Sequence, residues 1–134
     1  MAIADRTLVP ENSEGDLTFP TETDLSGKQY YFVKLSSGLV VACGANEKML
    51  GILQNAPDGS SAQTGAIVRT FGNSKLIQTE TIAQGNFLTS TAAGAAEICD
   101  AAGEEYGAVA LTAAGSGDLA AVTIMRGEVE ASDA

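Results

Sequence analysis

The side chains that could take part in chemistry here are carboxylates, hydroxyls and two thiols, because the sequence contains no histidine. Histidine is the commonest general base near neutral pH and the commonest protein ligand of zinc. Without it, the Ser-His and Cys-His pairs that activate nucleophiles cannot form. We therefore expect no catalytic residues and no enzyme activity, and we assign no metal ligand.

The closest approach to a metal site is the acidic segment around Gly103, which carries Asp100, Glu104 and Glu105. Calcium binds several carboxylate oxygens, but the spacing of an EF-hand loop is absent. A solvated turn is the simpler interpretation, and a cation site at these three residues is the alternative. A carboxylate pair acting as acid and base would need a cleft that shifts one pKa, and this segment has the composition of an exposed turn.

A second candidate site is the glycine-rich segment 115–118, which reads Gly-Ser-Gly-Asp. Loops that cradle phosphate continue with Gly-Lys and then Ser or Thr, and no such continuation follows here. The segment therefore predicts a turn, and we expect the chain to bind no cofactor.

The two cysteines occupy equivalent positions in a weak internal repeat. Gly38, Cys43 and Gly51 recur 56 residues later as Gly94, Cys99 and Gly107. Equivalent positions of a repeated unit usually lie far apart, so a disulfide between the two cysteines is not expected. We expect both to be buried, reduced thiols that pack as small apolar side chains.

Short runs of β-branched and aromatic residues, separated by turn residues, fill the chain from residue 29 onward. The run 29–35, the turn 36–38 and the run 39–42 predict a hairpin, and 66–71 and 75–79 predict another around Gly72. Spacing of about 8 to 12 residues per strand is typical of all-β folds. We expect a compact β-barrel or sandwich of about eight to ten short strands, with a β domain over 29–134 built from two weakly similar halves, 29–84 and 85–130.

Residues 1–28 show no useful helical or strand periodicity, and Pro10 and Pro20 restrict the backbone and remove hydrogen-bond donors. We interpret this stretch as an extended N-terminal arm. Two possibilities stay open for it. One is a disordered terminus, and the other is an arm that lies across a neighbouring subunit by adding a strand to its sheet.

The net charge of −10 and the sequence pI of about 4.1 weigh against contact with nucleic acid or an anionic membrane, because phosphate contacts need Lys and Arg. The charge is uneven, since residues 29–85 are nearly neutral and both ends are acidic. No segment has the length of a transmembrane span or the pattern of a secretory signal. We expect synthesis in a cytoplasm, with no nucleic-acid or membrane partner.

The rhythm and composition of residues 28–128 resemble the small capsid decoration, or cement, proteins of tailed double-stranded-DNA bacteriophages. The resemblance lies in an extended polar arm followed by an Ala/Gly/Val-rich β domain with the segments Gly38-Leu39-Val40-Val41-Ala42, Gly51-Ile52-Leu53, Gly85-Asn86-Phe87-Leu88 and Gly107-Ala108-Val109-Ala110-Leu111. It implies a homotrimer that binds the major capsid protein on the outer surface of the virion and stabilises the shell. The protein would be made in the host cytoplasm.

Two groups of apolar residues are the candidate contacts under this resemblance. The capsid-contact candidates lie in the arm: Leu8, Val9, Leu17 and Phe19. The other group is expected to pack either in the core or between subunits: Tyr30, Tyr31 and Phe32.

Rival interpretations come from other classes of protein. One is another virion structural part, such as the base of a head fibre or a tail-associated protein. Another is a carbohydrate-binding β module, which is disfavoured because the sequence has no tryptophan for an exposed aromatic platform. Enzyme activity would have to come from carboxylates alone.

Overall fold

The computed structural model describes residues 15–60 and 64–130, and within them all regular structure is β. The ten strands are β1 (Asp16–Pro20), β2 (Phe32–Ser36), β3 (Leu39–Ala42), β4 (Gly51–Leu53), β5 (Gly65–Arg69), β6 (Gly72–Ile77), β7 (Phe87–Ser90), β8 (Ala96–Ile98), β9 (Glu105–Ala110) and β10 (Leu119–Glu128). They form two five-stranded antiparallel sheets and no closed barrel. The all-β prediction is confirmed. The described residues contain no helix that could cross a membrane.

The two sheets have the same strand order, which confirms the internal repeat as an architectural unit. The first sheet runs β1-β5-β4-β2-β3 and the second runs β6-β10-β9-β7-β8, so adding five to each strand number converts one order into the other. We call strands β1 to β5 and their loops the first repeat, and strands β6 to β10 and their loops the second repeat.

Strand register gives the residue correspondence between the repeats. Phe32 pairs with Ile52 across β2 and β4, and Phe87 pairs with Val109 across β7 and β9. Phe32 therefore corresponds to Phe87 and Ile52 to Val109. The turns that follow β2 and β7 end in Gly38 and Gly94, whose φ angles of 80° and 95° need glycine.

The boundary between the repeats lies between β5 and β6, not at residue 84 as the sequence suggested. The hairpin expected between residues 66–71 and 75–79 does not form, because β6 pairs with β10 in the second sheet. Strand β5 could not accept it, since β1 and β4 already occupy both of its edges. β6 instead takes the place in its sheet that β1 takes in the first.

The predicted N-terminal arm is described only from Gly15, and that part is built into the first repeat. β1 adds a strand to the sheet of its own chain by pairing with β5. Further along, Leu25 is 1% exposed within the core, and its N–H donates to the Pro57 carbonyl at 2.8 Å. Residues 15–28 thus pack as part of the β domain.

Two apolar clusters hold the fold together. The first core lies within the first repeat and consists of Leu25, Val33, Val40, Leu53, Ala66 and Val68. The second core combines residues of the second repeat with four from the first, namely Phe32, Cys43, Met49 and Ile52 together with Leu76, Ile82, Leu88, Ala96, Ala108, Ala110, Ala120 and Val122. The alternation of side chains along a strand explains the division, because Phe32 and Val33 point to opposite faces of the first sheet.

Each sheet curls until its two edge strands approach each other. In the first repeat the Thr21 hydroxyl, just beyond β1, donates to the Val40 carbonyl of β3 at 2.7 Å. In the second, the Thr79 N–H, just beyond β6, donates to the Ala96 carbonyl of β8 at 3.0 Å. These contacts fix the curvature, so each sheet has an inner face around a core and an outer face.

Candidate functional site

The acidic segment around Gly103 is a capped turn. One oxygen of Glu104 accepts hydrogen bonds from the N–H groups of Asp100 at 3.2 Å and Ala101 at 3.0 Å. Glu105 lies 3.7 Å from the ammonium of Lys48 instead. The described residues contain no group of three or more metal-ligating side chains placed to share an ion. The carboxylates of Glu104 and Glu105 therefore serve separate local contacts.

The equivalent turn in the first repeat has the same construction. There, Glu47 accepts a hydrogen bond from the Gly44 N–H at 2.6 Å and also bonds the Lys34 ammonium at 2.6 Å. Both bonds stabilise the charged carboxylate, so the pKa of Glu47 lies below its ordinary value. An acid three residues after a capped N–H is thus a recurring turn feature of this fold.

Both cysteines are free and buried, as predicted. Burial, assisted by the negative charge of Glu47, raises the pKa of Cys43 to about 12. Burial, assisted first by the charge of Glu104, raises the pKa of Cys99 to about 11. Each thiol keeps its proton at neutral pH, so neither is an activated nucleophile.

A cleft of about 290 Å³ lies at the junction of the two repeats. It is lined by Lys48, Met49, Glu105, Tyr106, Arg126 and Gly127. The Arg126 guanidinium donates to the main-chain carbonyls of Met49, at 3.2 Å, and Leu50, and its partial burial lowers the pKa of Arg126. The charged groups of the cleft therefore bind other parts of the chain, and the cleft joins the repeats.

The outer face of the first sheet forms the main contact between the repeats. Three main-chain hydrogen bonds cross this contact: Phe32 N–H to the Gly94 carbonyl at 2.8 Å, Asn46 N–H to the Ser90 carbonyl at 3.0 Å, and Ile77 N–H to the Tyr30 carbonyl at 2.9 Å. The side-chain amide of Gln54 adds a bond to the Ser74 hydroxyl at 2.9 Å.

Tyr30 and Phe32 lie at this contact, and Tyr31 lies between them in the chain. Phe32 is fully buried in the second core. Tyr30 and Tyr31 are half-buried, with the ammonium groups of Lys75 and Lys28 lying 5.8 Å and 4.6 Å from their ring centroids. Phe32 thus packs in the core of its own chain, and an intersubunit role for the two tyrosines stays a prediction.

Of the four capsid-contact candidates, Leu8 and Val9 lie outside the described residues. Leu17 and Phe19 lie in β1 and are half-buried, and Phe19 packs against the first core. Their contact with a capsid stays a prediction, and Phe19 also contributes to the fold.

An apolar outer face on the second sheet is the feature that sequence reasoning missed. Phe87 and Leu111 are 41% and 39% exposed, with half-buried Val109 between them in the strand pattern. Phe87 also stacks on Tyr106, with ring centroids 4.5 Å apart and an interplanar angle of 12°. The internal repeat could have indicated this face, because aligning the strands of the two repeats makes Phe87 equivalent to Phe32 and Val109 equivalent to Ile52.

No protein-family model matches the chain, and no curated protein matches it either. The chain is similar in structure to the N base of head fibre gp8.5 of bacteriophage phi29, known from a crystal structure. The TM-score is 0.70 at 18% sequence identity, and the match covers 87% of this chain and 99% of the head fibre chain. At this identity the similarity shows a shared fold.

Proposed function

We propose that this protein is a structural component of a bacteriophage virion and attaches to the head. The observation that carries the proposal is the match to nearly the whole of the N base of the phi29 head fibre. A shared fold does not by itself give a shared function, so the proposal needs a direct binding test. The contacts within the chain are consistent with it, because the polar groups of the junction cleft bind the chain itself.

Within this proposal, two finer assignments differ in what the protein does once attached. A head fibre base anchors another structure to the shell, whereas a decoration protein strengthens the shell. The phi29 similarity favours the base assignment over the decoration role predicted from sequence. Both share the same partner, the major capsid protein on the outer surface, and both include a homotrimer that multiplies weak contacts by symmetry.

The test is binding of the purified full chain to phage heads that lack it. We expect saturable binding with a fixed number of copies per head, measured by co-sedimentation and by electron microscopy of the decorated shell. Heating heads with and without the bound protein then distinguishes the two assignments. A decoration protein raises the temperature at which DNA is released, and a fibre base leaves it unchanged. Absence of binding to heads, or binding only to tails, would overturn the proposal.

The predicted contact segment can be tested without disturbing the described fold. A deletion of residues 1–14 leaves β1 intact, whereas a deletion of residues 1–28 would also remove β1 and the buried Leu25. We expect the double variant Leu8→Asp, Val9→Asp to bind heads at least tenfold more weakly. Glu11→Gln with Asn12→Ser is the matched control in the same segment. Equal binding by the two double variants would exclude Leu8 and Val9 as capsid contacts.

A further inference from the structure

We propose that the outer face of the second sheet binds the first repeat of a second copy of this chain, head to tail. We call the residues Phe87, Val109 and Leu111 the open face. The proposal gives a surface to the self-association included in the proposed function. Its test uses no phage heads, so head attachment and self-association can fail separately.

The open face corresponds residue by residue to a face that is already occupied. The pairs Phe32 with Ile52 and Phe87 with Val109 hold equivalent places in the two sheets. The flanking hydrogen bonds agree, because Leu53 N–H to the Tyr31 carbonyl at 3.0 Å is matched by Ala110 N–H to the Asn86 carbonyl at 2.9 Å. Continuing this alignment by one residue makes Gln54 equivalent to Leu111.

In the first repeat this face is covered by the second repeat. Phe32 and Ile52 are 0% exposed and belong to the second core. The turn at Gly94 approaches so closely that a Cβ on this glycine would lie 2.9 Å from the Phe32 carbonyl oxygen. The chain itself thus shows what kind of structure binds such a face, namely one side of a neighbouring repeat.

In the second repeat the equivalent face lies exposed and is equally apolar. Phe87 is 41% exposed where Phe32 is buried, and Leu111 replaces the polar Gln54 at 39% exposure. Burying aromatic and aliphatic side chains removes apolar surface from water and so stabilises a complex. Contiguous apolar residues of this kind are typical of interaction sites.

The first repeat exposes the residues that correspond to the edge of that covering surface. The core of the second repeat covers the occupied face, and three residues hydrogen-bond to the first repeat at its edge: Gly94, Ser90 and Ile77. They correspond by strand alignment to Gly38, Leu35 and Pro20, of which Pro20 has no N–H to donate as Ile77 does. All three counterparts are exposed, Leu35 at 41%. Gly38 has no atom within 4 Å of its Cβ position and can approach a neighbour as closely as Gly94 does. We call these three residues the free end.

A contact between the open face of one copy and the free end of another is heterologous. Such contacts extend until the rotation between copies closes a ring, and otherwise they continue as a filament. The homotrimer of the proposed function would be the closed form. Because each copy uses two different surfaces, a change in either surface must disrupt the assembly.

The experiment measures the mass of the full chain in solution by light scattering and sedimentation velocity over a range of concentrations. The wild type should form an oligomer. Phe87→Glu and Leu35→Glu each replace an exposed apolar residue and should each weaken association at least tenfold. Phe71→Glu is the control, because Phe71 is 55% exposed in the link between β5 and β6 and belongs to neither surface. Thermal unfolding establishes that every variant is folded.

Mixing the two interface variants distinguishes a head-to-tail contact from a symmetric one. Phe87→Glu keeps an intact free end and Leu35→Glu keeps an intact open face, so an equimolar mixture should form heterodimers although each variant alone is monomeric. A wild type that stays monomeric would overturn the proposal. Loss of association in Phe87→Glu with full association in Leu35→Glu would show that the open face binds a part of the second copy other than the free end, and would also overturn the proposal.

Discussion

The two repeats share one topology but differ in how completely each fills its own core. At corresponding inner positions the first repeat has Val40 and Leu53, where the second has Ala96 and Ala110. The second core reaches its volume with Phe32, Met49 and Ile52 from the outer side of the first repeat. The first repeat thus supplies its own interior and part of its neighbour's. A duplicated unit can therefore keep its fold while losing independence.

The largest expected effect on stability comes from truncating Phe32, which belongs to the first repeat but packs in the second core. Phe32→Ala removes an aromatic ring from the second core and should lower the free energy of unfolding by about 3–5 kcal/mol, because the cavity cannot collapse fully. Its counterpart Phe87→Ala is the matched control and should cost less than about 1 kcal/mol in the monomer, since Phe87 is partly exposed. Urea unfolding measures both, and similar losses would contradict the asymmetry of the repeats.

Substitution of the two turn glycines, Gly38 and Gly94, should give a smaller difference in the free energy of unfolding. Gly38→Ala and Gly94→Ala both place a side chain at positive φ, which costs about 1–2 kcal/mol. Gly94→Ala also forces a contact with the Phe32 carbonyl oxygen and should cost about 1–3 kcal/mol more. Thermal or urea unfolding of the pair tests this, and equal stability of the two variants would show that the repeats do not pack closely at this turn.

The cysteines predict a pH dependence above neutrality. Their pKa values in the folded protein, about 12 for Cys43 and about 11 for Cys99, exceed the ordinary value of 9.0. The unfolded thiols therefore ionise first, so stability is fully present below pH 9 and declines as the pH rises beyond it. Cys43→Ala and Cys99→Ala should each reduce this decline. A thiol reagent should label both cysteines only on unfolding, and rapid labelling of Cys43 in the folded protein would contradict its burial.

The smallest expected difference in stability is between variants of the two turn-capping glutamates, Glu47 and Glu104. Glu47→Gln loses the charge that binds Lys34 and the Gly44 N–H, whereas Glu104→Gln alters a turn in which the carboxylate caps main-chain N–H groups. Because the pKa of Glu47 is lowered in the folded protein, its contribution is present above the unfolded pKa and is lost as the pH falls. We expect a slightly lower melting temperature near neutral pH for Glu47→Gln than for Glu104→Gln, with the gap closing in acid.

Sequence reasoning reached the features that depend on local pattern and spacing. The glycine and cysteine offsets indicated a duplication, and the strand-like runs indicated an all-β fold. The boundary of the repeats was not accessible, because turn residues at Gly72 show where a strand begins but not which sheet it joins. β1 was hidden for a similar reason, since its partner β5 lies about 50 residues away in the chain. The open face required the strand alignment, because offsets between corresponding residues vary along the repeat.

In each sheet the strand that comes first in the chain pairs with the strand that comes last, and this has a consequence for synthesis on the ribosome. The first sheet can close only after β5 emerges, and the second only after β10, so each repeat must wait for its own final strand. The first repeat is complete while the second is still being made, and it then offers Phe32 and Ile52 as a surface on which the later strands assemble. We expect a fragment ending at Thr70 to fold alone and a fragment beginning at Phe71 to stay unfolded, which circular dichroism of the two fragments would establish.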